Sequence, residues 1–227
     1  MNVGITKNKL AALSNNTWIK GLPSETLSEL LKEVRFKSYK ANQCLHRKGE
    51  LAFGLYGVIS GEIRISATTS SGEEIVFTRI NAGKWFGEIA ILDEGVRTHD
   101  AFTTLQSEIA IIPKESITKI CKKHPEAYMA LVSLLCKHCR QAFAAVDDFL
   151  LFNPEQRLAK HVITQLDILE STKLMINQQE LGALIGISRQ STHKILKSWE
   201  VKGWIQRVYK GVDIVQYSSL KALFFEQ

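Results

Sequence analysis

Apolar residues are distributed in three successive textures along the chain. Leu22, Leu27, Leu30, Leu31 and Val34 recur at helical spacing behind Pro23-Ser24-Glu25, and a proline with an early glutamate predicts a helix start there. From about residue 36 the pattern changes to short runs rich in Val, Ile, Phe and Thr, separated by Gly49, Gly61, Gly72, Gly83 and Gly87. Glu62–Ile65 alternates, and Glu74–Thr78, Asp100–Leu105 and Glu108–Ile112 read as further strands. Short strands at near-regular spacing predict a sandwich or barrel.

The third texture is helical. A short stretch from Pro113 to His124 precedes a long one that opens at Pro125-Glu126, and no Gly or Pro interrupts it from Ala127 to Phe152. Tyr128, Leu131, Leu135, His138, Ala142, Ala145, Phe149 and Phe152 recur at steps of three and four. This is a heptad-like seam. Beside it runs a second stripe of Met129, Val132, Cys136, Cys139, Phe143, Val146 and Leu150. A helix that is apolar on two faces has to be covered twice. Its own β domain can cover one face, and the same helix of a second chain is the simplest cover for the other, so a homodimer through 125–152 is expected. Asn153-Pro154 ends the helix and predicts a hinge, because the residue before proline resists helical geometry. Leu158, Val162, Ile163 and Leu166 form the inward stripe of the next helix.

Residues 177–203 carry the clearest chemistry. Asn177 with Glu180 makes a capping-box-like start, Leu181, Leu184 and Ile185 face a core, Gly186 breaks the helix, Ser188 caps the next one and Gly203 can end it. Two short helices joined by a Gly-containing turn predict a helix-turn-helix. In the second helix Thr192, Ile195, Leu196 and Trp199 occupy the inward positions. Gln190, His193, Lys194 and Lys197 repeat the spacing roughly 200° away, with Arg189 beside them. Such a face fits the major groove, where Arg and Lys match guanine acceptors and Gln pairs with adenine. Trp204–Tyr209 and Val212–Val215 read as a hairpin with its turn at Lys210-Gly211, a wing from which Arg207 and Lys210 reach phosphates.

Charge supports this placement. The formal net charge of the 227-residue chain is +6, and residues 177–211 hold six Lys and Arg against Glu180 and Glu200. A basic excess concentrated at the motif points to double-stranded DNA. Apolar residues make up 45% and charged residues 23%, enough for a sizeable core and too ordered a composition for a disordered chain. No run of 18 apolar residues predicts a membrane span, and Met1–Lys7 leads into no signal-type apolar stretch, so a cytoplasmic protein without membrane contact is expected. Cys44, Cys121, Cys136 and Cys139 are then expected as free thiols.

These residues together resemble the Crp/Fnr superfamily of transcription regulators, from about residue 15 to about 225. Gly186-Ile-Ser-Arg-Gln-Ser-Thr-His-Lys-Ile-Leu-Lys197 carries the likeness most specifically, and Phe86-Gly87-Glu88-Ile89-Ala90-Ile91-Leu92 is similar to the family's cyclic-nucleotide pocket. The resemblance implies an α+β fold in three parts. A β-roll effector-sensing domain of cyclic-nucleotide-binding type, with an N-terminal helix, occupies 1–112. A short helix and a long dimerisation helix occupy 113–152, and a winged helix-turn-helix occupies 153–227. It also implies a homodimer on a pseudo-palindromic operator, gated by an effector or redox signal at the roll, with RNA polymerase as a partner. Ser188, Arg189, Gln190, His193, Lys194, Lys197, Arg207 and Lys210 are the implied DNA-binding set, with Arg189 as the guanine reader. Gln190 stands where the family often has Glu and Lys194 where it often has Arg, so the operator half-site is expected to differ from the usual one.

By the same resemblance Gly87, Glu88, Arg97 and Thr98 are the effector-binding set: a carboxylate for a ribose hydroxyl, a guanidinium for a phosphate, a small hydroxyl beside it. An ion pair between Glu88 and Arg97 that braces the roll is the competing expectation. Cyclic AMP is not the expected effector. His99-Asp100-Ala101 follows Arg97-Thr98 where nucleotide binders have a small residue, and the long helix offers Ala142-Phe143 where a Thr or Ser would meet adenine. Residues 1–43 contain no cysteine, so the iron–sulfur cluster of the oxygen-sensing branch is not expected; haem stays open on His46, His99, His124, His138 and His161. Cys136-Lys-His-Cys139 has C-x-x-C spacing, which is compatible with zinc shared between two chains or with plain packing on an apolar stripe, and no metal is assigned to it. Two functions of other classes compete. A stand-alone sensor of cyclic AMP or cyclic GMP does not account for the Arg189/Gln190/Lys194 face. An enzyme would need a nucleophile–base pair, a metal-binding His/Glu set or a phosphate loop, and no such catalytic set is present.

Overall fold

In a computed structural model the described residues are 13, 17–70, 72 and 74–225; the opening Met1–Lys7 lies outside them. The chain divides into two compact units, 1–140 and 141–227, and the division passes through the long helix. Among the described residues no helix is long and apolar enough to cross a membrane.

Among the described residues the first unit has α1 (Thr17–Lys20) and α2 (Ser24–Lys32), followed by eight strands: β1 (Arg35–Tyr39), β2 (Cys44–His46), β3 (Gly54–Ser60), β4 (Glu62–Thr68), β5 (Glu74–Asn81), β6 (Trp85–Phe86), β7 (Asp100–Thr103) and β8 (Ser107–Pro113). A single turn, α3 (Ile89–Leu92), sits between β6 and β7. The strands form two antiparallel four-stranded sheets, ordered β1-β8-β3-β6 and β2-β7-β4-β5, the β-roll expected from the sequence.

The near-continuous apolar run of β8 has a packing reason. Its Ile109 and Ile111 point between the sheets with Tyr39, Tyr56, Val58, Ile63, Phe86 and Ala101. Its Ala110 and Ile112 point the other way, joining Leu55 and Trp85 under the helices. A sheet covered on both faces loses the apolar–polar alternation that marks a half-exposed strand.

The covering helices are α1, α2, α4 (Lys114–Lys123) and the first half of α5 (Pro125–Leu151). On α5 the buried residues are Ala127, Leu131 and Leu134. Leu131 and Leu134 together supply roughly 3–6 kcal/mol of apolar burial. Of the heptad-like seam, Leu131 is buried and Leu135 and His138 are half-buried, whereas Tyr128, Ala142, Ala145 and Phe149 are exposed. The inward stripe is thus narrower than the heptad pattern and includes Leu134, which that pattern skips.

The second unit holds the end of α5, then α6 (Pro154–Leu169), β9 (Lys173–Leu174), α7 (Gln178–Leu184), α8 (Arg189–Val201), β10 (Ile205–Val208), β11 (Gly211–Ile214) and α9 (Tyr217–Phe225). Asn153 begins α6 with a full capping box: its side chain accepts from Gln156 N, and Gln156 Oε1 accepts from Asn153 N, each at 3.0 Å. Leu158, Ala159, Val162, Ile163 and Leu166 of α6 are buried with Leu181, Leu196 and Trp199. The hairpin turn is Tyr209-Lys210 rather than the expected Lys210-Gly211, because Val208 pairs with Gly211. A Cβ at Gly211 would lie 2.5 Å from the carbonyl oxygen of Leu174, so glycine belongs on the strand, where β9 joins the wing as a third strand.

Truncating Leu158, which is fully buried, to Ala should destabilise the second unit by about 2–5 kcal/mol. Hydrogen exchange on the full chain should show faster exchange in α6 and α8 and unchanged protection in β3 and β8. Unchanged exchange in α6 and α8 would contradict this packing.

Candidate nucleic-acid interface and effector pocket

The helix-turn-helix is held by a close crossing. A Cβ at Gly182 would lie 2.5 Å from Thr192 Oγ1 and 2.7 Å from the carbonyl oxygen of Ile187, so only glycine lets α7 approach α8 this closely. Thr192 Oγ1 donates to the carbonyl oxygen of Ser188 at 3.0 Å, and Ser188 caps α8 by accepting from Ser191 N at 3.1 Å. The inner side of α8 carries Thr192, Leu196 and Trp199, all buried, with Ile195 half-buried; Trp199 Nε1 donates to Glu155 Oε1 of α6 at 2.8 Å. The outer side carries Arg189, Gln190, His193, Lys194 and Lys197, all exposed. His193 Nδ1 lies 3.2 Å from Gln178 Oε1 of α7, which leaves the other four free of side-chain partners. The expected DNA-facing side chains therefore share one accessible face.

The wing residues differ from one another. Lys210 is exposed at the turn, its φ is 55°, and its ammonium stands over the Tyr209 ring. Arg207 donates through Nε and a terminal nitrogen to Glu200 Oε2, at 2.8 and 2.5 Å. Those bonds hold the Glu200 carboxyl below its usual range and raise Arg207 in turn. In this arrangement Arg207 braces the wing against α8, and Lys210 is the wing's unpaired cation.

In the first unit Glu88 and Arg97 are both buried but do not pair with each other. Glu88 Oε1 accepts from the ring N–H at Nδ1 of His138, on α5, at 2.8 Å. Arg97 donates to the carbonyl oxygens of Gly87 at 2.9 Å and Gly54 at 2.6 Å, and its guanidinium stacks on the Tyr56 ring, 4.9 Å from the centroid. Its backbone is pinned to Glu50 by Arg97 N donating to Glu50 O at 2.8 Å. Gly87 has φ 90°, and any Cβ there would strike the guanidinium, so glycine is required by backbone and by space alike. Thr98 is exposed and its Oγ1 is bonded to the His99 ring at 2.9 Å, away from this cluster. Arg97 Nε is buried without a partner. Burial lowers the Arg97 pKa; Tyr56, through its charge and a hydrogen bond, and the charges of Glu88 and Glu50 oppose it. A buried cation with a spare donor and no bonded carboxylate is suited to an anionic ligand.

Of the histidines left open for haem, His46 stacks on Tyr56, His99 packs against Phe77, His124 sits among Thr26, Glu29 and Glu126, and His161 is half-buried, its pKa lowered by burial. The pairing of His138 with Glu88 is what sequence reasoning missed: the two lie 50 positions apart, so no local pattern reveals it.

Residues 36–124 match the family description "Cyclic nucleotide-binding domain", and residues 155–223 match "Crp-like helix-turn-helix domain". The two together take in most of the chain. The chain belongs to the Crp/Fnr family of DNA-binding transcription regulators. It is 28% identical over 200 residues to the cAMP-activated global transcriptional regulator CRP of Haemophilus influenzae, covering 85% of this chain and 88% of that protein. It is 25% identical over 205 residues to the cyclic AMP receptor protein of Thermus thermophilus, covering 90% and 95%. TTHA1359, a transcriptional regulator of the CRP/FNR family from Thermus thermophilus, shares the fold at a TM-score of 0.69 and 20% identity, covering 83% of this chain and 97% of that one.

One titration follows from the pocket. Burial, reinforced by the Arg97 charge, lowers His46 from 6.5 to about 3. The folded chain keeps this imidazole neutral, while the unfolded chain binds a proton as pH falls below 6.5. The stability tied to neutral His46 is complete above that pH and declines from 6.5 toward 3, by at most about 1.4 kcal/mol per pH unit. Nitrogen NMR should therefore find the His46 ring neutral at pH 5, and a His46 midpoint near 6.5 would contradict the packing.

Proposed function

We propose that two copies of the chain bind a pseudo-palindromic duplex, each placing α8 in one of two successive major grooves, with half-sites about 34–36 Å apart. The observation that carries this reading is the shared exposed face of Arg189, Gln190, His193, Lys194 and Lys197, opposite a buried anchor of Thr192, Leu196 and Trp199. Arg189 reads guanine, Gln190 and Lys194 read neighbouring bases, and Ser188 orients the helix start. His193 and Lys197 extend that face, while Lys210 contacts phosphate and Arg207 positions the wing. The second copy joins through the uncovered stripe of α5, and RNA polymerase, met in the cytoplasm, is the further partner.

The roll gates this activity by accepting an anionic effector at Arg97, with Glu88 as the hydroxyl acceptor once His138 releases it. Cyclic AMP is not the effector proposed. Thr98, the small hydroxyl that would stand beside the phosphate, is exposed and bonds His99 instead. Ala142 and Phe143 carry no hydroxyl for adenine. A shift of α5 against the roll then repositions the helix-turn-helix.

Arg189→Ala should weaken binding to the best duplex selected from a random pool by about 1–3 kcal/mol, or roughly 5- to 150-fold at fixed salt, as read by fluorescence anisotropy. Affinity within twofold of wild type would remove Arg189 as the base reader. Calorimetry with cyclic AMP and cyclic GMP should show no binding tighter than about 10 μM. Tighter binding that is lost in Arg97→Ala would establish instead the cyclic-nucleotide sensor reading that the spare Arg97 donor favours.

A further inference from the structure

We infer that Cys136 and Cys139 are a peroxide-sensitive modification site, each forming a disulfide with the same residue of a second copy across the dimer axis. This rests on the proposed dimer. Met129, Val132, Cys136, Cys139, Phe143, Val146 and Leu150 are spaced by alternating threes and fours, an unbroken a/d heptad seam with both cysteines in its layers. The seam faces away from the residues α5 buries on the roll. Val132 is half-buried, both thiols are exposed, and Met129, Phe143, Val146 and Leu150 are exposed large apolar side chains. His138, between the two cysteines, bonds Glu88 and fixes this stretch of α5 on the roll, so both thiols sit on a segment held in register.

A two-fold axis makes each position on the seam meet its own copy. Packed helix axes lie about 8–10 Å apart with Cα atoms at a radius of about 2.3 Å, so facing Cα atoms come to about 3.4–5.4 Å. That overlaps the separation of about 4.4–6.8 Å that a disulfide needs. The competing bond within one helix does not fit. Cβ atoms three residues apart on a helix are about 5–6 Å apart, beyond the roughly 3.5–4.5 Å of a disulfide.

Hydrogen peroxide is the oxidant. One cysteine thiolate attacks a peroxide oxygen, the O–O bond breaks, and a sulfenic acid and hydroxide form. The thiolate of the same cysteine in the second copy then attacks that sulfur. The S–S bond forms as the S–O bond breaks, and hydroxide leaves. With the two thiol protons, the hydroxides become two waters; two thiols lose two electrons and one peroxide gains them. The covalent dimer cannot dissociate on dilution, so its DNA binding no longer weakens with dilution as that of the reduced chain does.

The test is carried out on the full chain. Sedimentation equilibrium under reducing conditions should show a dimer. After peroxide treatment, a non-reducing denaturing gel should shift the chain to twice its mass, reversibly with dithiothreitol, and peptide mapping should find Cys136–Cys136 and Cys139–Cys139 links. Cys136→Ser and Cys139→Ser should each still cross-link, and the double variant should lose the cross-link while sedimenting as a dimer. A reduced dimer that does not cross-link, a Cys136–Cys139 bond within one chain, or a cross-link surviving in the double variant would overturn the inference and leave the dimer standing. A reduced chain that sediments as a monomer would overturn both.

Discussion

A 27-residue helix that is apolar along two sides governs what this molecule presents to its surroundings. Its first half is locked down by Ala127, Leu131 and Leu134 against a sheet that is itself buried on both faces. The other stripe ends in Phe143, 70% exposed, and Leu150, 74% exposed. Large side chains left in water along one line are costly, roughly 1.5–3 kcal/mol each relative to full burial, and a matching surface recovers that cost. The same helix bonds the roll's buried carboxylate through His138 and continues past Arg140 into the DNA-binding unit. One element thus joins the pocket, the proposed pairing surface and the helix-turn-helix in a single covalent line.

The pocket at the other end of that line is defined by a charge without a bonded counter-charge. Arg97 is 3% exposed, held by two backbone carbonyls and an aromatic face, and it keeps a buried nitrogen without a partner. Carbonyl dipoles and ring stacking make such a cation tolerable, and an arriving anion would make it favourable. The expected Glu88–Arg97 ion pair would have cancelled the charge and left nothing for a ligand to satisfy. The observed partition, Glu88 to α5 and Arg97 to the loop carbonyls, keeps both groups buried and separately committed.

The sequence was most readable where one element packs one face. The period of three and four in α8 follows from a surface helix with a single buried side, so the inward set and the exposed set could both be named from spacing alone. Capping residues at Asn177 and Ser188 were equally plain, because a cap is a local hydrogen bond. Long-range pairings left no local trace. His138 bonding Glu88, Arg207 of the wing bonding Glu200 of α8, and the two-residue strand β9 depend on chain segments brought together by the fold. The wing turn was misplaced by one residue because Gly211 looks like turn chemistry; its actual role is to clear the carbonyl oxygen of Leu174.

The central claim is that two copies of α8 meet a duplex at the pitch of B-form DNA. The most direct test takes the duplex selected by the full chain and inserts base pairs at its centre of symmetry. Five inserted base pairs turn the second half-site to the far side of the duplex and should cost the added affinity of that half-site, at least about 100-fold at fixed salt. Equal affinity for the parent and the five-base-pair insertion would contradict the account.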